Sequence, residues 1–276
     1  ADELGLTQSA ISQALRRLRD VFGDRLFLRR PHGMEPTATA LALEGPVSQA
    51  VEALRTALGQ TRTFDPATAS GVLRIAALDS HQSGIVPALA AQLRHLTPGL
   101  TLSVLPIGRT EAIEALVEGR IALFLGLLPD MPDTLRAEAL YSETYLVAGR
   151  PDVLPLPLDL PAYAAAPHIL VSPGGDLTGI VDVELQRWGL SRRIILGLPA
   201  FLPALAAAGS TGALVTLPAR IARAFAPGFG LLTSEPPIPL RSFEVSAYWH
   251  RRNDGDPQLA WLVAQAKAVG GDATTG

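Results

Sequence analysis

The length and composition of the chain predict a globular protein with more than one folding unit. With 276 residues, 48% of them hydrophobic and 18% charged, the chain is long enough for two or three domains with buried cores. No stretch approaches about 18 uninterrupted apolar residues, which argues against a membrane protein. The absence of cysteine excludes disulfides and thiolate sites. Because the acidic start at Asp2 and Glu3 also has no secretory signal, we expect a cytoplasmic protein.

The net charge of −3 hides an asymmetry along the chain. Residues 1–34 contain six arginines and four acidic residues, whereas residues 63–276 contain 15 basic and 19 acidic side chains. A small basic head on an acidic body is typical of a DNA-binding module that is joined to a second domain. The alternative is a basic surface that is merely solvated, since small blocks of charge are common on protein surfaces.

The first residues predict a helix-turn-helix. Gly5 separates a short helical segment, 1–4, from a second helix that starts at Thr7, whose hydroxyl can cap the first turn. Apolar side chains recur along this helix at steps of four and three, which places one stripe towards a core. These side chains are Ile11, Leu15, Leu18 and Phe22. The opposite face either is solvated or contacts base edges and phosphates. Its residues are Gln8, Ser9, Ser12, Gln13 and Arg16, with Thr7 at the start.

A basic hairpin is predicted directly after this helix. A short strand at 26–28, a turn over 29–33 and a returning segment at 34–36 form the wing of a winged helix. The wing-tip residues that we expect to contact phosphates or the minor groove are Arg29, Arg30 and His32. Thr37 is expected to cap the next helix and to contact the DNA backbone, with capping alone as the alternative.

A long helix is predicted next, over residues 37–60. Its apolar residues recur at near-heptad spacing, so they either pair the helix with a second copy or pack on the chain's own head. These predicted dimerisation residues are Leu43, Val47, Val51, Leu54 and Leu58. Gly45-Pro46 should bend the helix near its start. We therefore assign residues 1–36 to the head, 37–60 to a dimerising helix and 61–70 to a hinge linker.

From residue 71 onward, strands and helices alternate, which predicts a parallel sheet with helices on its faces. The predicted strands are 72–78, 100–106, 121–126, 168–171, 194–196, 213–215 and a return strand at 243–249. The predicted helices are 84–96, 111–118, 180–188, 201–208, 218–224 and 257–269. Two such cycles and a returning strand indicate two lobes around a ligand cleft. The boundaries are 71–270 for the domain, about 71–147 and 247–270 for lobe I, and about 148–246 for lobe II.

Two loops that connect a strand to a helix are candidate ligand sites. Residues 79–84 follow the first strand, where free amides and the positive end of a helix dipole near Ser83 and Gly84 suit a carboxylate. An ordinary helix cap is the alternative. Residues 172–179 form the equivalent loop of lobe II, while Phe201 either lines the cleft or packs in the core. The predicted effector-binding residues are Asp79, Ser80, Ser83, Gly84, Ser172, Thr178, Gly179 and Phe201.

The residue pattern argues against an enzyme. The sequence has no Gly-x-Ser-x-Gly, P-loop or dinucleotide motif, and the consecutive Asp79, Ser80 and His81 do not form a nucleophile triad. The histidines lack metal-like spacing, so we predict no metal and no other cofactor. They are His32, His81, His95, His168 and His250. We expect His168 and His250 to make structural hydrogen bonds.

Several motifs, in order along the chain, resemble the LysR-type transcriptional regulators. In the head they are Leu6-Thr7-Gln8-Ser9-Ala10-Ile11-Ser12, Phe22-Gly23-Asp24-Arg25-Leu26-Phe27-Leu28-Arg29 and Gly33-Met34-Glu35-Pro36-Thr37. Further on, Ala166-Pro167-His168-Ile169-Leu170-Val171-Ser172-Pro173, Gly179-Ile180-Val181-Asp182, Thr216-Leu217-Pro218 and Trp249-His250-Arg251 are similar to the branch with nodulation and aromatic-degradation regulators. The family has a further helix before this head, and we expect the present sequence to lack it.

The resemblance implies an all-α winged helix-turn-helix head and an α/β effector domain of two lobes that resembles type 2 periplasmic binding proteins. It also implies homodimers or tetramers on double-stranded promoter DNA, and activation together with RNA polymerase. We therefore predict a DNA-binding transcription regulator controlled by a small carboxylate effector, aromatic or of another kind. The alternatives are a solute-binding protein of the transport class, which residues 1–60 disfavour, and a small-molecule enzyme on the same two-lobed fold.

Overall fold

The chain folds into two compact units, Ala1–Thr63 and Phe64–Gly276. The computed structural model describes residues 8–30, 33–57 and 64–272. Four features predicted from the sequence lie outside these residues: the helical segment 1–4 with Gly5, the cap at Thr7, the wing-tip His32, and Leu58 with the start of the linker. None of the helices among the described residues has the length and apolar character that crossing a membrane requires.

The described residues of the first unit form two helices and a hairpin. Its elements are α1 (Gln8–Phe22), β1 (Phe27–Arg30), β2 (Gly33–Pro36) and α2 (Ala38–Ala57). The strands are antiparallel, with Arg29 opposite Met34 and Arg30 opposite Gly33. The sequence analysis placed Arg29 and Arg30 in the turn, and this was wrong. Because strand pairing continues to Arg30, only positions 31 and 32 remain between the strands.

The carboxylate of Asp24 joins the end of α1 to the start of α2. Its Oδ1 accepts hydrogen bonds from the backbone N–H of Leu26 (2.5 Å) and the hydroxyl of Thr37 (2.8 Å), and its Oδ2 accepts one from the hydroxyl of Thr39 (2.9 Å). These bonds, the one from Leu26 first, lower the pKa of Asp24. Thr37 Oγ1 in turn accepts from the N–H of Ala40 (3.2 Å), which confirms the predicted helix cap.

The predicted apolar stripe of α1 is only partly covered. Ile11 and Leu15 are half-buried, but Leu18 and Phe22 are 46% and 42% exposed. Leu26 is the single fully buried apolar side chain among the described residues of this unit. The described part of the unit therefore buries little apolar surface of its own, and a further element or partner must cover the stripe if it is to form a core.

The second unit is an α/β structure with ten strands and eight α-helices among the described residues. The strands are β3 (Ser70–Ala77), β4 (Gly99–Leu105), β5 (Leu123–Gly126), β6 (Leu135–Glu143), β7 (Tyr145–Gly149), β8 (Pro167–Val171), β9 (Arg193–Leu198), β10 (Leu214–Pro218), β11 (Leu232–Ser234) and β12 (Phe243–His250). The helices are α3 (Asp79–Ser83), α4 (Ile85–Leu96), α5 (Arg109–Glu118), α6 (Leu160–Ala165), α7 (Ile180–Arg187), α8 (Phe201–Thr211), α9 (Ala219–Phe225) and α10 (Pro257–Asp272). Two five-stranded sheets, one in each lobe, organise these elements.

Each sheet is mixed rather than purely parallel. The sheet of lobe I has the order β4-β3-β5-β12-β6, and that of lobe II the order β11-β7-β10-β8-β9. The predicted parallel pairing holds for β3 with β4 and β5, and for β8 with β9 and β10. The neighbouring strands β12, β7 and β11 pair antiparallel. Strands β7 and β12 are the first strands after the chain crosses from one lobe to the other, and β11 is antiparallel to β7 because β7 is the reversed strand of its sheet.

The chain crosses between the lobes twice. Thr144 separates β6 of lobe I from β7 of lobe II, and residues 235–242 lead back from β11 to β12. The predicted boundaries near residues 147 and 247 therefore lie a few residues too late. The rings of Tyr145 and Phe243, the first residues after each crossing, contact each other at 5.4 Å between centroids. The two crossings are thus adjacent in space.

Helices cover both faces of each sheet, which explains the continuous apolar strands of the sequence. In lobe I, Ile75 packs with Leu89 and Leu262 on one face, and Phe124 packs with Leu116 on the other. In lobe II, α8 and α9 cover one face, and α6 and α7 the other. Burial on both faces leaves little alternation along a strand such as β5. The predicted α/β fold of two lobes is confirmed.

Candidate functional site

The predicted DNA-reading face lies along one side of α1. Ser12, Gln13 and Arg16 are exposed at positions i, i+1 and i+4, so their side chains share one face of the helix. Gln8 and Ser9 begin the same helix. The side chain of Arg19 donates a hydrogen bond to the carbonyl of Arg25 (2.8 Å), which holds the start of the wing against α1. The helix face and the basic strand β1 thus belong to one local structure.

Thr37 has a structural role in this arrangement. A hydroxyl has one proton, and that of Thr37 is donated to Asp24 Oδ1. A hydrogen bond from Thr37 to a DNA phosphate would have to break this contact. The capping alternative is therefore favoured for Thr37.

The apolar seam of α2 is exposed. Val47, Val51 and Leu54 are 49%, 41% and 62% exposed, and Leu43 is half-buried. Pro46 lies inside the helix, as predicted. A helix of 20 residues with an exposed apolar seam requires a partner surface, and nothing among the described residues of its unit covers it.

The first candidate ligand loop is itself helical. Residues Asp79–Ser83 form α3, and the amides of His81 and Gln82 donate to the carbonyl of Leu78 at 2.8 and 3.0 Å. The N–H of Gly84 donates to Ser80 O at 3.1 Å. The sequence analysis expected free amides near Ser83 and Gly84, and this was wrong for Gly84. The predicted helix does begin there, since α4 starts at Ile85 with Gly84 as its N-cap residue, and the five-residue helix α3 precedes it.

Gly84 lies close to the other lobe. A Cβ atom added to Gly84 would lie 3.0 Å from Ser80 O and 3.6 Å from Cδ1 of Ile221. Ile221 belongs to α9 of lobe II, whereas Gly84 lies between α3 and α4 of lobe I. A side chain at position 84 would therefore crowd the carbonyl of Ser80 in its own lobe, whereas its contact with Ile221 would be ordinary van der Waals packing.

The second candidate loop also uses its amides internally. The N–H of Gly179 donates to Asp182 Oδ2 (2.7 Å), and that of Gly175 donates to Ser172 O (3.1 Å). Thr178 is exposed and Ser172 is half-buried. The expected cradle of glycine amides is therefore not free at Gly175 and Gly179, since the loop folds on itself.

One predicted pair does come together across the lobes. Oδ2 of Asp79, at the start of α3, accepts a hydrogen bond from the backbone N–H of Phe201, at the start of α8, at 2.7 Å. Phe201 is half-buried and packs against the core of lobe II. The structure thus brings the two predicted residues together, although Asp79 already uses one carboxylate oxygen on the protein itself.

An arginine that the sequence analysis missed lies between the lobes. The guanidinium of Arg220, in the first turn of α9, stacks on the ring of Tyr141 of lobe I, with 3.7 Å from Cζ to the ring centroid. One of its terminal nitrogens, Nη2, is buried and has no hydrogen-bond partner among the described residues. The hydroxyl of Tyr141 lies 3.4 Å from Nδ1 of His81, and Ser80 Oγ lies 3.3 Å from the same nitrogen.

Burial sets the protonation states around Arg220. It lowers the pKa of His81 to about 4, with a further contribution from Arg109, so His81 is neutral at pH 7. Burial and the charge of Glu143 raise the pKa of Tyr141 to about 12, although Arg220 opposes this, so the hydroxyl keeps its proton. Burial also raises the pKa of Glu143, whose carboxylate accepts hydrogen bonds from the amides of Thr144 (3.0 Å) and Arg220.

Each of the two predicted structural histidines makes a hydrogen bond within the fold, although Nδ1 of His168 is buried without a partner among the described residues. Nε2 of His168 lies 2.7 Å from the carbonyl of Tyr163, so this nitrogen carries the proton and donates. Burial lowers the pKa of His168 to about 4, which keeps the ring neutral. Nδ1 of His250 accepts from the N–H of Arg252 at 3.2 Å. Both residues have the structural role that was predicted for them.

A separate cavity of about 310 Å³ lies on lobe I, between α10 and the strands β6 and β12. Trp249, Leu259 and Val263 contribute its apolar lining, and the ion pair of Glu138 with Lys267 lies at the same place. None of the predicted effector-binding residues belongs to it. Of those residues, Asp79, Gly84 and Phe201 lie where the two lobes touch.

Together, these features define a protein class with two functional parts. An exposed polar helix face next to a basic hairpin is suited to double-stranded DNA. An α/β domain of two lobes, with a buried cation between them, is suited to an anionic ligand. Proteins that combine the two are transcription regulators that respond to a small molecule.

Comparison with known proteins assigns the family. Residues 66–271 match the family described as LysR substrate binding domain, and residues 1–41 match that of the bacterial regulatory helix-turn-helix protein, lysR family. The chain therefore belongs to the LysR family of transcriptional regulators, and the predicted resemblance is confirmed.

Individual relatives support this assignment over nearly the whole chain. The HTH-type transcriptional activator NahR of Pseudomonas putida is 34% identical over 264 residues, which are 95% of this chain and 88% of that protein. The nodulation protein D 1 of Bradyrhizobium elkanii is 28% identical, over 95% of this chain and 84% of that protein. The crystal structure of the probable transcriptional regulator PA0477 from Pseudomonas aeruginosa has 34% identity and a TM-score of 0.73, and covers 97% of this chain and 90% of that one. These relatives are regulators rather than enzymes or transport receptors.

Proposed function

We propose that this LysR-family regulator binds promoter DNA through α1 and the wing, and changes transcription when a small carboxylate binds between the lobes beside Arg220. Two copies pair along α2 through Val47, Val51 and Leu54, and dimers assemble into a tetramer on the promoter. The effector-bound protein then activates transcription together with RNA polymerase.

The observation that carries the effector class is the unpartnered Nη2 of Arg220. A buried donor of a charged group is costly when it has no acceptor, and Arg220 belongs to none of the ion pairs among the described residues, with the charge of Glu143 acting on it only from a longer distance. A carboxylate matches the planar fork of a guanidinium with two hydrogen bonds. The hydroxyls of Tyr141 and Ser80 are close by as neutral donors. The ring of Tyr141 and the half-buried Phe201 favour an aromatic acid, since ring contacts add roughly 1 kcal/mol beyond burial.

A thermal-shift screen tests this effector class directly. Benzoate, its neutral analogue benzamide, and acetate are added to the protein at increasing concentration. We expect benzoate to raise the melting temperature and benzamide to leave it unchanged, because only the acid offers two charged oxygens to the guanidinium of Arg220. At 100 times its dissociation constant a ligand stabilises a protein by about 2.7 kcal/mol, which is easily measured. Stabilisation by benzamide but by neither acid would show that the effector is not a carboxylate.

The reading of DNA is tested by separating base contacts from phosphate contacts. Gln13→Ala should weaken binding to the operator by about 1–3 kcal/mol and leave binding to random DNA unchanged, because an amide pairs with a specific base edge. Arg29→Ala should weaken binding to both DNAs and reduce the salt dependence, because a phosphate contact releases counterions at any sequence. Fluorescence anisotropy at several salt concentrations measures both effects.

The matched control is Gln186→Ala, which removes an exposed glutamine from α7 of the second unit and should change neither affinity. Equal losses on operator and random DNA for Gln13→Ala would refute base reading by α1.

A further inference from the structure

We propose that Asp79 of lobe I is the amino-terminal cap of helix α8 in lobe II, and that this bond latches the two lobes together in the absence of effector. Asp79 is then a positioning residue rather than a contact to the ligand. The inference extends the proposed function. It rests on one part of it, namely that the effector site lies between the lobes.

Helix α8 has no cap from its own N-cap residue. Ala200, its N-cap residue, has the extended backbone of a capping residue (φ −142°, ψ 150°) but no side-chain oxygen. The first amides of an α-helix have no partner within the helix and require an outside acceptor. For helix α6, also in lobe II, the N-cap residue itself provides this acceptor. Oδ1 of Asp159, that N-cap residue, accepts a hydrogen bond from the N–H of Ala162 at 2.7 Å.

Asp79 supplies the missing acceptor from the other lobe. Its Oδ2 lies 2.7 Å from the N–H of Phe201, the first residue of α8. The bond is partly buried, and it places a carboxylate at the positive end of an 11-residue helix, so both the charge and the hydrogen bond are favourable. A helix of lobe II is thus capped only while lobe I stays in this position.

The latch differs from the contact of Arg220 with Tyr141 because it needs no ligand. Arg220 stacks on Tyr141 but keeps Nη2 unsatisfied, so that contact gains from a bound carboxylate. The bond of Asp79 is complete in itself. It therefore sets how often the lobes are together before any effector arrives, and a ligand shifts that equilibrium further.

The experiment measures the distance between the lobes directly. The chain has no cysteine, so two introduced cysteines are the only labelling sites. Exposed positions on the two lobes are Val117 in α5 and Gln186 in α7. Spin-labelled full chains are diluted into an excess of unlabelled chains, so that distances between copies do not contribute, and double electron–electron resonance is recorded without ligand. Asp79→Ala should increase the population of longer distances about fivefold, the factor that corresponds to the roughly 1 kcal/mol of a helix cap.

Two variants distinguish a latch from an ordinary cap. Asp159→Ala removes a carboxylate cap within lobe II, so it should lower the melting temperature and leave the distance between the lobes unchanged. Ala200→Ser, combined with Asp79→Ala, gives α8 a cap of its own. The double variant should regain thermal stability while the lobes stay apart.

The inference is overturned if Asp79→Ala leaves the distances unchanged, or if Ala200→Ser restores the short distances, because α8 would then need a cap but not the other lobe. Since no ligand is present, this result is independent of the effector screen. A failure of benzoate to bind would leave the latch standing, and an unchanged distance would leave the carboxylate site standing.

Discussion

Replacing Arg220 by Gln should weaken the binding of a carboxylate effector by roughly 10- to 100-fold. Hydrogen bonds to charged groups contribute about 1.5–3 kcal/mol each, and glutamine retains an amide of similar reach but loses the charge and the fork. Arg220→Lys should give an intermediate loss, because the charge remains while the two parallel hydrogen bonds do not form. Isothermal titration with benzoate measures the three affinities.

The control for a general loss of positive charge is Arg223→Gln. Arg223 is on the same helix, three residues further on, but is exposed. Its replacement should change the affinity for benzoate only slightly, since exposed charges are screened by solvent. If Arg220→Gln is folded and binds benzoate as well as the unchanged protein does, another group holds the carboxylate.

The importance of Arg220 was not evident in the sequence, because a single arginine at the start of a helix resembles many surface arginines. Its significance comes from Tyr141, which the fold places beneath the guanidinium from the other lobe. The one indication that the sequence offered was the position of Arg220 along the chain. Arg220 follows Leu214–Pro218, an apolar strand, and ligands in α/β folds bind at the carboxyl ends of strands. The same rule did lead to Asp79 and Phe201, which the structure brings together.

The fold was predictable where apolar runs are flanked by clear breaks. Strands such as Leu123–Gly126 are buried on both faces, so their hydrophobicity is continuous and easily seen. Strand β6 was missed because Leu135–Glu143 contains no β-branched residue and several good helix formers. It is a strand because it pairs with β12 along eight residues, a contact far away in sequence that local propensity does not reveal.

Which backbone amides of the two ligand loops are free could not be predicted from the sequence, for a related reason. Whether an amide is free depends on which acceptor the folded chain places next to it. Gly179 was expected to present its N–H to a ligand, but Asp182 accepts it. Asp182 is itself fixed by Arg192, ten residues further on, through two hydrogen bonds of 2.8 and 2.9 Å. The spacing of these residues gave no indication of the pair.

The pair of Asp182 and Arg192 should be among the strongest local determinants of stability in lobe II. The side chain of Arg192 is 1% exposed and that of Asp182 is 15% exposed. Asp182→Ala should lower the free energy of unfolding by about 3–5 kcal/mol, because it leaves a buried guanidinium without its anion and the amide of Gly179 without its acceptor. Urea unfolding followed by circular dichroism measures the loss. Replacing both partners, as Asp182→Leu with Arg192→Met, should recover much of it, since no buried charge then remains unpaired.

The same pair predicts how stability depends on pH. Burial acts to raise the pKa of Asp182, but the hydrogen bonds and charge of Arg192 and the amide of Gly179 outweigh it, so the pKa lies below its ordinary value of 3.8. A carboxyl with a lowered pKa in the folded state stabilises the protein above its unfolded pKa, and the stabilisation disappears as the pH falls through the folded value. The difference in stability between the unchanged protein and Asp182→Asn should therefore be constant near pH 7 and shrink below about pH 4.

The exposed pair of Arg150 and Asp152 is the control, and Asp152→Ala should change the unfolding curve little. A loss for Asp182→Ala no larger than that for Asp152→Ala would show that the buried pair does not hold the loop in place.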